Sequence, residues 1–113
     1  MKTIIAGSRE ITDYKIIRRA IKKSGFKITE VVSGTARGVD TLGEEYAEKH
    51  NIPIKQFSAD WDRYKNAAGH MRNVEMSQYA QALIAIWDGK SPGTKNMIIN
   101  AQKRDLKVFI YLV

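Results

Sequence analysis

Three arginines stand beside glycine or small polar residues where this chain turns. Arg9 lies in "GSRE" (Gly7, Ser8, Arg9, Glu10), Arg37 in "SGTARGVD" (Ser33 to Asp40) and Arg72 in "AAGHMRN" (Ala67 to Asn73). A guanidinium presents a planar fork of donors that matches phosphate or carboxylate oxygens. Gly34 and Gly38 permit backbone conformations closed to other residues and let a ligand approach the main chain. The helix-like run after Gly38 aims its free N–H groups at the same place, a favourable seat for phosphate. "DGKSPGTK", Asp88 to Lys95, repeats the logic: Gly89 and Gly93 flank a proline turn and Thr94 opens a helix, so a second phosphate-facing nest is expected there. Trp61 and Tyr64, in a polar stretch, could stack on a base, with Asp60 and Asp62 reading ribose hydroxyls or an adenine amino group.

Each of these features also has a plainer use. "SGTARGVD" could be a tight strand-to-helix turn capped by Asp40. Arg9 and Arg72, read as turn residues, could tie loops together through backbone carbonyls. Trp61 and Tyr64 could cover the sheet edge or pack against a second subunit, and Asp60 and Asp62 could cap a turn. Other chemistries are poorly served. The glycine spacing before a Lys-Ser/Thr pair is wrong for a P-loop, and "GSRE" does not complete a dinucleotide fingerprint. His50 and His70 make no metal pattern. His50 suits a helix C-terminus, where the dipole favours a partly positive ring; a proton-transfer role for His70, beside Arg72, is weakly supported. No Ser/His/Asp triad or spaced carboxylate pair is evident. Neither a cofactor, a metal nor a catalytic group is expected.

These residues need elements to position them, and the apolar pattern supplies them. β-branched, apolar runs occur at Thr3–Ala6, Ile28–Val32, Ile52–Phe57, Ala82–Trp87 and Val108–Val113. Between them the spacing predicts four helices, with faces at Ile16, Ile17, Ala20 and Ile21; at Leu42, Tyr46 and Ala47; at Met71, Val74, Gln78 and Tyr79; and at Met97, Ile98 and Ala101. Asp13 is expected to cap the first helix and Thr94 the last. The alternation predicts an α/β Rossmann-like three-layer sandwich with a five-stranded parallel sheet, about four helices and right-handed crossovers. "ALIAIW" is apolar throughout, so it belongs inside the sheet. In such sheets ligands bind beyond the carboxyl ends of the strands, and the glycine-, arginine- and aromatic-bearing stretches all follow strands. "SADWDRYKNA", Ser58 to Ala67, is the one long connection and is expected to lack regular structure.

At 113 residues the chain is read as a single domain. It has no cysteine, which excludes disulfides, thiolate metal sites and a cysteine nucleophile. No run of about 18 apolar residues exists, and the opening "KTIIA" is too short for a signal-peptide core, so no membrane partner and a cytoplasmic location are expected. Nineteen basic against twelve acidic residues give a charge of +7, favouring nucleotides or nucleic acid as partners. Lys15, Lys22, Lys23, Lys27, Lys103 and Lys107 are read as solvated surface.

The stretches "AGSRE.TDY", "VVSGTARGVDTLGEEYA", "F.ADWDRY...AG..RN.EM" and "ALIAIWDGKSPGTKNMI" together resemble the SLOG superfamily of Rossmann-like nucleotide binders, and most of all its small stand-alone phage and bacterial members. They are also similar to the core of DNA-processing protein A (DprA), whose motifs would fall on Gly7–Arg9, Ser33–Asp40, Arg72–Asn73 and Ser91–Thr94, with Pro92 departing from the last. The resemblance implies a nucleotide, a nucleotide-derived signal or nucleic acid as ligand. LOG-type relatives cleave nucleotide N-glycosidic bonds with a PGGxGTxxE signature. Here "SPGTKNM" puts Met97 at the glutamate position, which argues against that catalysis unless Glu75 or Asp88 substitutes. Similar sensor domains of Thoeris-type antiphage effectors bind ADP-ribose-derived cyclic nucleotides, so the resemblance implies that a domain with the loops but without the catalyst could sense or sequester such a signal.

Three readings follow. The first is binding of a nucleotide or nucleotide-derived small molecule by Gly7, Ser8 and Arg9, by Ser33, Gly34, Thr35, Arg37, Gly38 and Asp40, by Trp61, Tyr64, Arg72 and Asn73, and by Asp88, Gly89, Ser91, Gly93, Thr94 and Lys95. The second is single-stranded nucleic-acid binding, the third LOG-type hydrolysis. A homo-oligomer is expected from the apolar content of "MIINA" and "VFIYLV" and from the habits of related SLOG domains.

Overall fold

The computed structural model describes every residue from Met1 to Val113. Strands β1 (Lys2–Gly7), β2 (Glu30–Ser33), β3 (Ile54–Gln56), β4 (Ala82–Trp87) and β5 (Lys107–Leu112) form one sheet. The sheet is parallel throughout, in the order β3-β2-β1-β4-β5. Helices α1 (Tyr14–Ser24) and α2 (Val39–Lys49) form one layer with a core of their own. Helices α4 (Ala68–Tyr79) and α5 (Pro92–Lys103) cover the other face, preceded by the single turn α3 (Trp61–Tyr64) and a 3-10 turn at Lys65–Ala67. This is the expected α/β Rossmann-like sandwich.

The sheet separates two apolar cores, and the two-residue period of its strands assigns side chains to each. Leu83 and Ala85 of β4 pack with Met76, Met97 and Ala101 under α4 and α5. Ile84 and Ile86 pack with Ile17, Ile21, Val39 and Leu42 under α1 and α2. That is why "ALIAIW" is apolar at every position. Asp13 caps α1, accepting from the Lys15 N–H at 3.0 Å, and Gly25 ends it in the left-handed region at φ 68°.

Three local expectations need correction. Ser58–Ala67 is not an irregular loop, because the Asp60 carboxylate accepts the Arg63 N–H at 3.1 Å and starts helical structure that runs on towards α4. Arg72 therefore sits on a helix rather than in a turn, next to Asn73. Thr94 does not cap α5. Asp88 captures the Lys90 and Ser91 N–H groups, Pro92 begins the helix, and Thr94 is buried within its first turn. In "MIINA" only Ile99 is exposed; the other four residues are buried. Leu112 and Val113 are exposed at the β5 edge.

Candidate functional site

Strand order reverses between β1 and β4, and the loops that leave these two strands part there. A cleft of about 540 Å³ opens at that point. One wall is the β1 loop, with Ser8, Arg9 and Glu10, and another is α4, with Arg72 and Asn73. The third is the β4–α5 loop, with Asp88, Lys90, Ser91, Pro92, Gly93 and Thr94. Ala6, Met76 and Met97 add an apolar lining. A smaller hollow of about 300 Å³, lined by Gly34, Thr35, Arg37, Ser58 and Trp61, shares Arg9, Ala36 and Arg72 with the cleft. The two arginines thus border both spaces.

Arg72 is held by the fold. Its Nη1 donates to the Gly34 carbonyl at 2.8 Å, while its buried Nε has no acceptor. The two ion pairs of the molecule, Arg37–Glu10 and Lys49–Glu45, leave it out. Burial pushes the Arg72 pKa down; nearby Asp40 pulls it back up and Arg9 lowers it further. Asp40 is itself buried and accepts the Ala36 N–H at 3.1 Å. Burial raises its pKa to about 6, against the opposing pull of that hydrogen bond and of Arg72. Asp88 is held below the usual carboxylate range by the Ser91 and Lys90 N–H groups.

The two glycine-bearing turns differ in what they leave free. At Gly38, with φ 77°, a Cβ would sit 2.5 Å from the Ser8 carbonyl oxygen, so the glycine lets the β1 loop lie against the start of α2. The Val39 N–H donates to that same oxygen at 3.2 Å. Gly34 is approached by side chains: a Cβ there would meet Asp40 Oδ2 at 2.8 Å and Arg72 Nε at 3.1 Å. The first turn is occupied by the protein's own atoms. Neither α2 nor α5 has a side-chain cap; at α5 Pro92 has no N–H, and the Gly93 and Thr94 N–H groups have no acceptor.

The residues expected to form a site therefore divide. Gly7, Ser8, Arg9, Asp40, Arg72, Asn73, Asp88, Ser91, Gly93 and Thr94 line the cleft. Gly34, Thr35, Arg37 and Trp61 line the smaller hollow. Arg37 is exposed and pairs with Glu10 at 2.9 Å. Ser33, Gly38, Tyr64, Gly89 and Lys95 line neither space. Ser33 instead donates to Glu44 at 2.5 Å and accepts the Thr35 N–H at 3.1 Å. Asn73 ties α4 to α5, donating to Gly93 O at 3.3 Å and Asn96 Oδ1 at 3.0 Å. Glu75, a suggested substitute catalyst, is exposed and lines no part of the cleft. Sequence reasoning missed Glu10, Lys90 and the apolar lining at Met76. Glu10 and Lys90 sat inside quoted motifs, whereas Met76 carried no signal beyond a helical face. Because Arg9, Arg72 and Lys90 meet Glu10, Asp40 and Asp88 here, the cleft has mixed charge rather than a uniformly cationic wall.

The model of the YspA, cpYpsA-related SLOG family (YAcAr) matches residues 1–64, more than half of the chain. The chain belongs to this SLOG family. Over 117 aligned residues the SLOG chain is 30% identical to the Gene 61 protein of Mycobacterium phage D29, covering 95% of this chain and 93% of that protein. Its fold is similar to that of DNA processing protein A (DprA) from Streptococcus pneumoniae, with a TM-score of 0.74 at 17% identity. That similarity covers 96% of the SLOG chain but 49% of DprA, so the chain spans about half the length of that protein.

Proposed function

We propose that this SLOG domain binds a phosphorylated nucleotide, or a small molecule derived from one, in the cleft between β1 and β4. One observation carries the reading: the uncapped N-terminus of α5 lines a nucleotide-sized cleft at the switch point, in company with Arg9 and Arg72. Free helix N–H groups and guanidinium forks are both phosphate seats. The volume lies within the roughly 300–1,000 Å³ of small-ligand sites. Mixed charge suits a nucleotide better than a bare anion, since carboxylates such as Asp88 can accept from ribose or base while the donors take phosphate. The lining at Met76 and Met97 offers an apolar surface to the sugar or base. Membership of the SLOG family and the fold shared with a DNA processing protein support the same ligand class.

Charge-assisted hydrogen bonds contribute about 1.5–3 kcal/mol each and micromolar affinity needs about 8 kcal/mol, so four such bonds supply most of it and apolar contact with Met76 and Met97 must help offset ordering costs. Met97 is an apolar part of the lining at the position where the LOG-type signature would require a glutamate, which favours binding over N-glycoside cleavage. Retention and release of an intact ligand fits sensing or sequestration of a signal.

Calorimetric titration with AMP, ADP-ribose and adenosine tests the proposal. A phosphorylated ligand is expected to bind, adenosine to bind at least tenfold more weakly, and Arg9→Ala to abolish the difference. Equal binding of adenosine, or phosphate-dependent binding unaffected by Arg9→Ala and by Arg72→Gln, overturns it. Appearance of free base during incubation would move the assignment to hydrolysis.

A further inference from the structure

A second concave surface lies away from the cleft, between α1 and α2, with a volume of about 680 Å³. It shares no lining residue with the cleft or the smaller hollow. Lys15, Arg18, Arg19 and Lys22 of α1 supply its cations. With Lys23, the helix carries five basic residues and no acidic one. Neither ion pair of the molecule involves any of them. No carboxylate lines the groove, and Glu45 on α2 is already paired with Lys49 at 3.1 Å.

Helix stability does not account for this composition. Lys22 and Lys23 sit at the C-terminal end, where the dipole favours cations, but Lys15 lies in the first turn, where it does not. Lys15 and Arg19, Arg18 and Lys22, and Arg19 and Lys23 are like charges four residues apart, a spacing that disfavours the helix. The buried face of α1, Ile17, Ala20 and Ile21, needs no cation beside it. The groove also contains rings. Tyr46 and His50 stack on each other with centroids 4.0 Å apart, and Phe26 lines the surface nearby. Successive turns of cations beside ring faces match what a single nucleic-acid strand needs: a basic path for its backbone and platforms for its bases. A membrane surface would call for apolar anchors here, but the exposed large apolar side chains, such as Trp61 and Leu112, lie elsewhere. A flat base fits the ring faces better than the carboxylates of an acidic peptide do.

We infer that the α1–α2 groove is a binding site for single-stranded nucleic acid, separate from the nucleotide cleft. The phosphodiester backbone runs along Lys15, Arg18, Arg19 and Lys22, and a base packs on the Tyr46–His50 pair. The inference is independent of the cleft and would survive its failure.

Fluorescence anisotropy with a labelled oligothymidylate of about 16 nucleotides, a length at the upper end for one single-strand module, reads this out across a salt series. The combined variant Arg18→Gln, Arg19→Gln, Lys22→Gln is expected to weaken binding at least tenfold and flatten the salt dependence by about two, at roughly 0.7 per single-strand phosphate lost. His50→Ala is expected to weaken binding about fivefold, the lower end for loss of one stacking partner. Arg9→Ala is expected to leave strand binding intact, and the triple variant to leave AMP binding intact. Circular dichroism melts confirm that each variant is folded, and Lys15→Gln with Lys22→Gln serves as a second neutralisation should the triple variant unfold. Strand binding lost in Arg9→Ala but kept in both groove neutralisations would place the strand in the cleft and overturn the inference. Equal displacement of the oligonucleotide by polyglutamate, or equal affinity for anionic lipid vesicles, would overturn the nucleic-acid assignment, as would absence of oligonucleotide binding at low salt.

Discussion

"SGTARGVD" and "DGKSPGTK" read almost alike, each placing two glycines and small polar residues between a strand and a helix, yet the protein uses them in opposite ways. In the first, the glycines admit other parts of the chain. Ser8 and Arg9 backbone atoms press on Gly38, and Asp40 and Arg72 side chains press on Gly34. In the second, a Cβ at Gly89 or Gly93 would meet nothing within 4 Å. A glycine-rich turn therefore signals close approach without saying what approaches. One turn is a joint between loops, and the other faces open space.

The largest test of this contrast is Gly38→Ala. A β-carbon 2.5 Å from the Ser8 oxygen, together with a φ of 77°, must displace the β1 loop. A loss of about 3 kcal/mol or more is expected, from overpacking and left-handed strain combined, measured by urea denaturation. Stability close to that of the wild type would show that the joint is soft and break the comparison.

Asp40→Asn comes next. With its pKa raised to about 6, native Asp40 binds its proton more tightly than the unfolded chain does. The resulting stabilisation is complete below the ordinary carboxylate pKa and is lost as the pH rises through about 6. At neutral pH the buried charge is a cost, so Asp40→Asn is expected to gain about 1–3 kcal/mol at pH 7, shrinking to nothing near pH 4. A gain that is the same at both pH values would mean that the Asp40 charge is not the source.

Gly93→Ala should behave unlike Gly38→Ala, gaining about 0.5–1 kcal/mol because alanine favours the helix and meets no neighbour. Any large loss would show that the second turn is packed as tightly as the first. Arg37→Ala carries the smallest expected effect. Its pair with Glu10 is exposed on both sides, such pairs contribute little, and it lines only the smaller hollow. No resolvable change in melting temperature and less than about a twofold change in AMP affinity are expected; a greater loss of affinity would shift the site from the cleft to that hollow.

The sheet, its parallel order of elements and the buried place of "ALIAIW" were legible because apolar periodicity reports which faces are covered. The gathering of the glycine- and arginine-bearing turns at the carboxyl edge was legible because in a parallel sheet every strand-to-helix turn falls there. Arg72 was misread as a turn residue because "AAGHMRN" begins with small residues and carries a weak apolar stripe, while its helix is started upstream by Asp60 and the turns that follow it. Lys15, Lys22 and Lys23 of α1 were read as solvated surface, and Arg18 and Arg19 drew no reading, because a linear pattern does not show that Tyr46 and His50 stand beside this helix. Local propensity and the alternation of strand and helix set the kinds of element, their order and the collection of donors at one edge. Which donors remain unspent was settled by packing between loops distant in sequence. Whether an N–H or a guanidinium faces a ligand or its own chain depends on what other loops bring within 3 Å of it, and no local pattern encodes that distance.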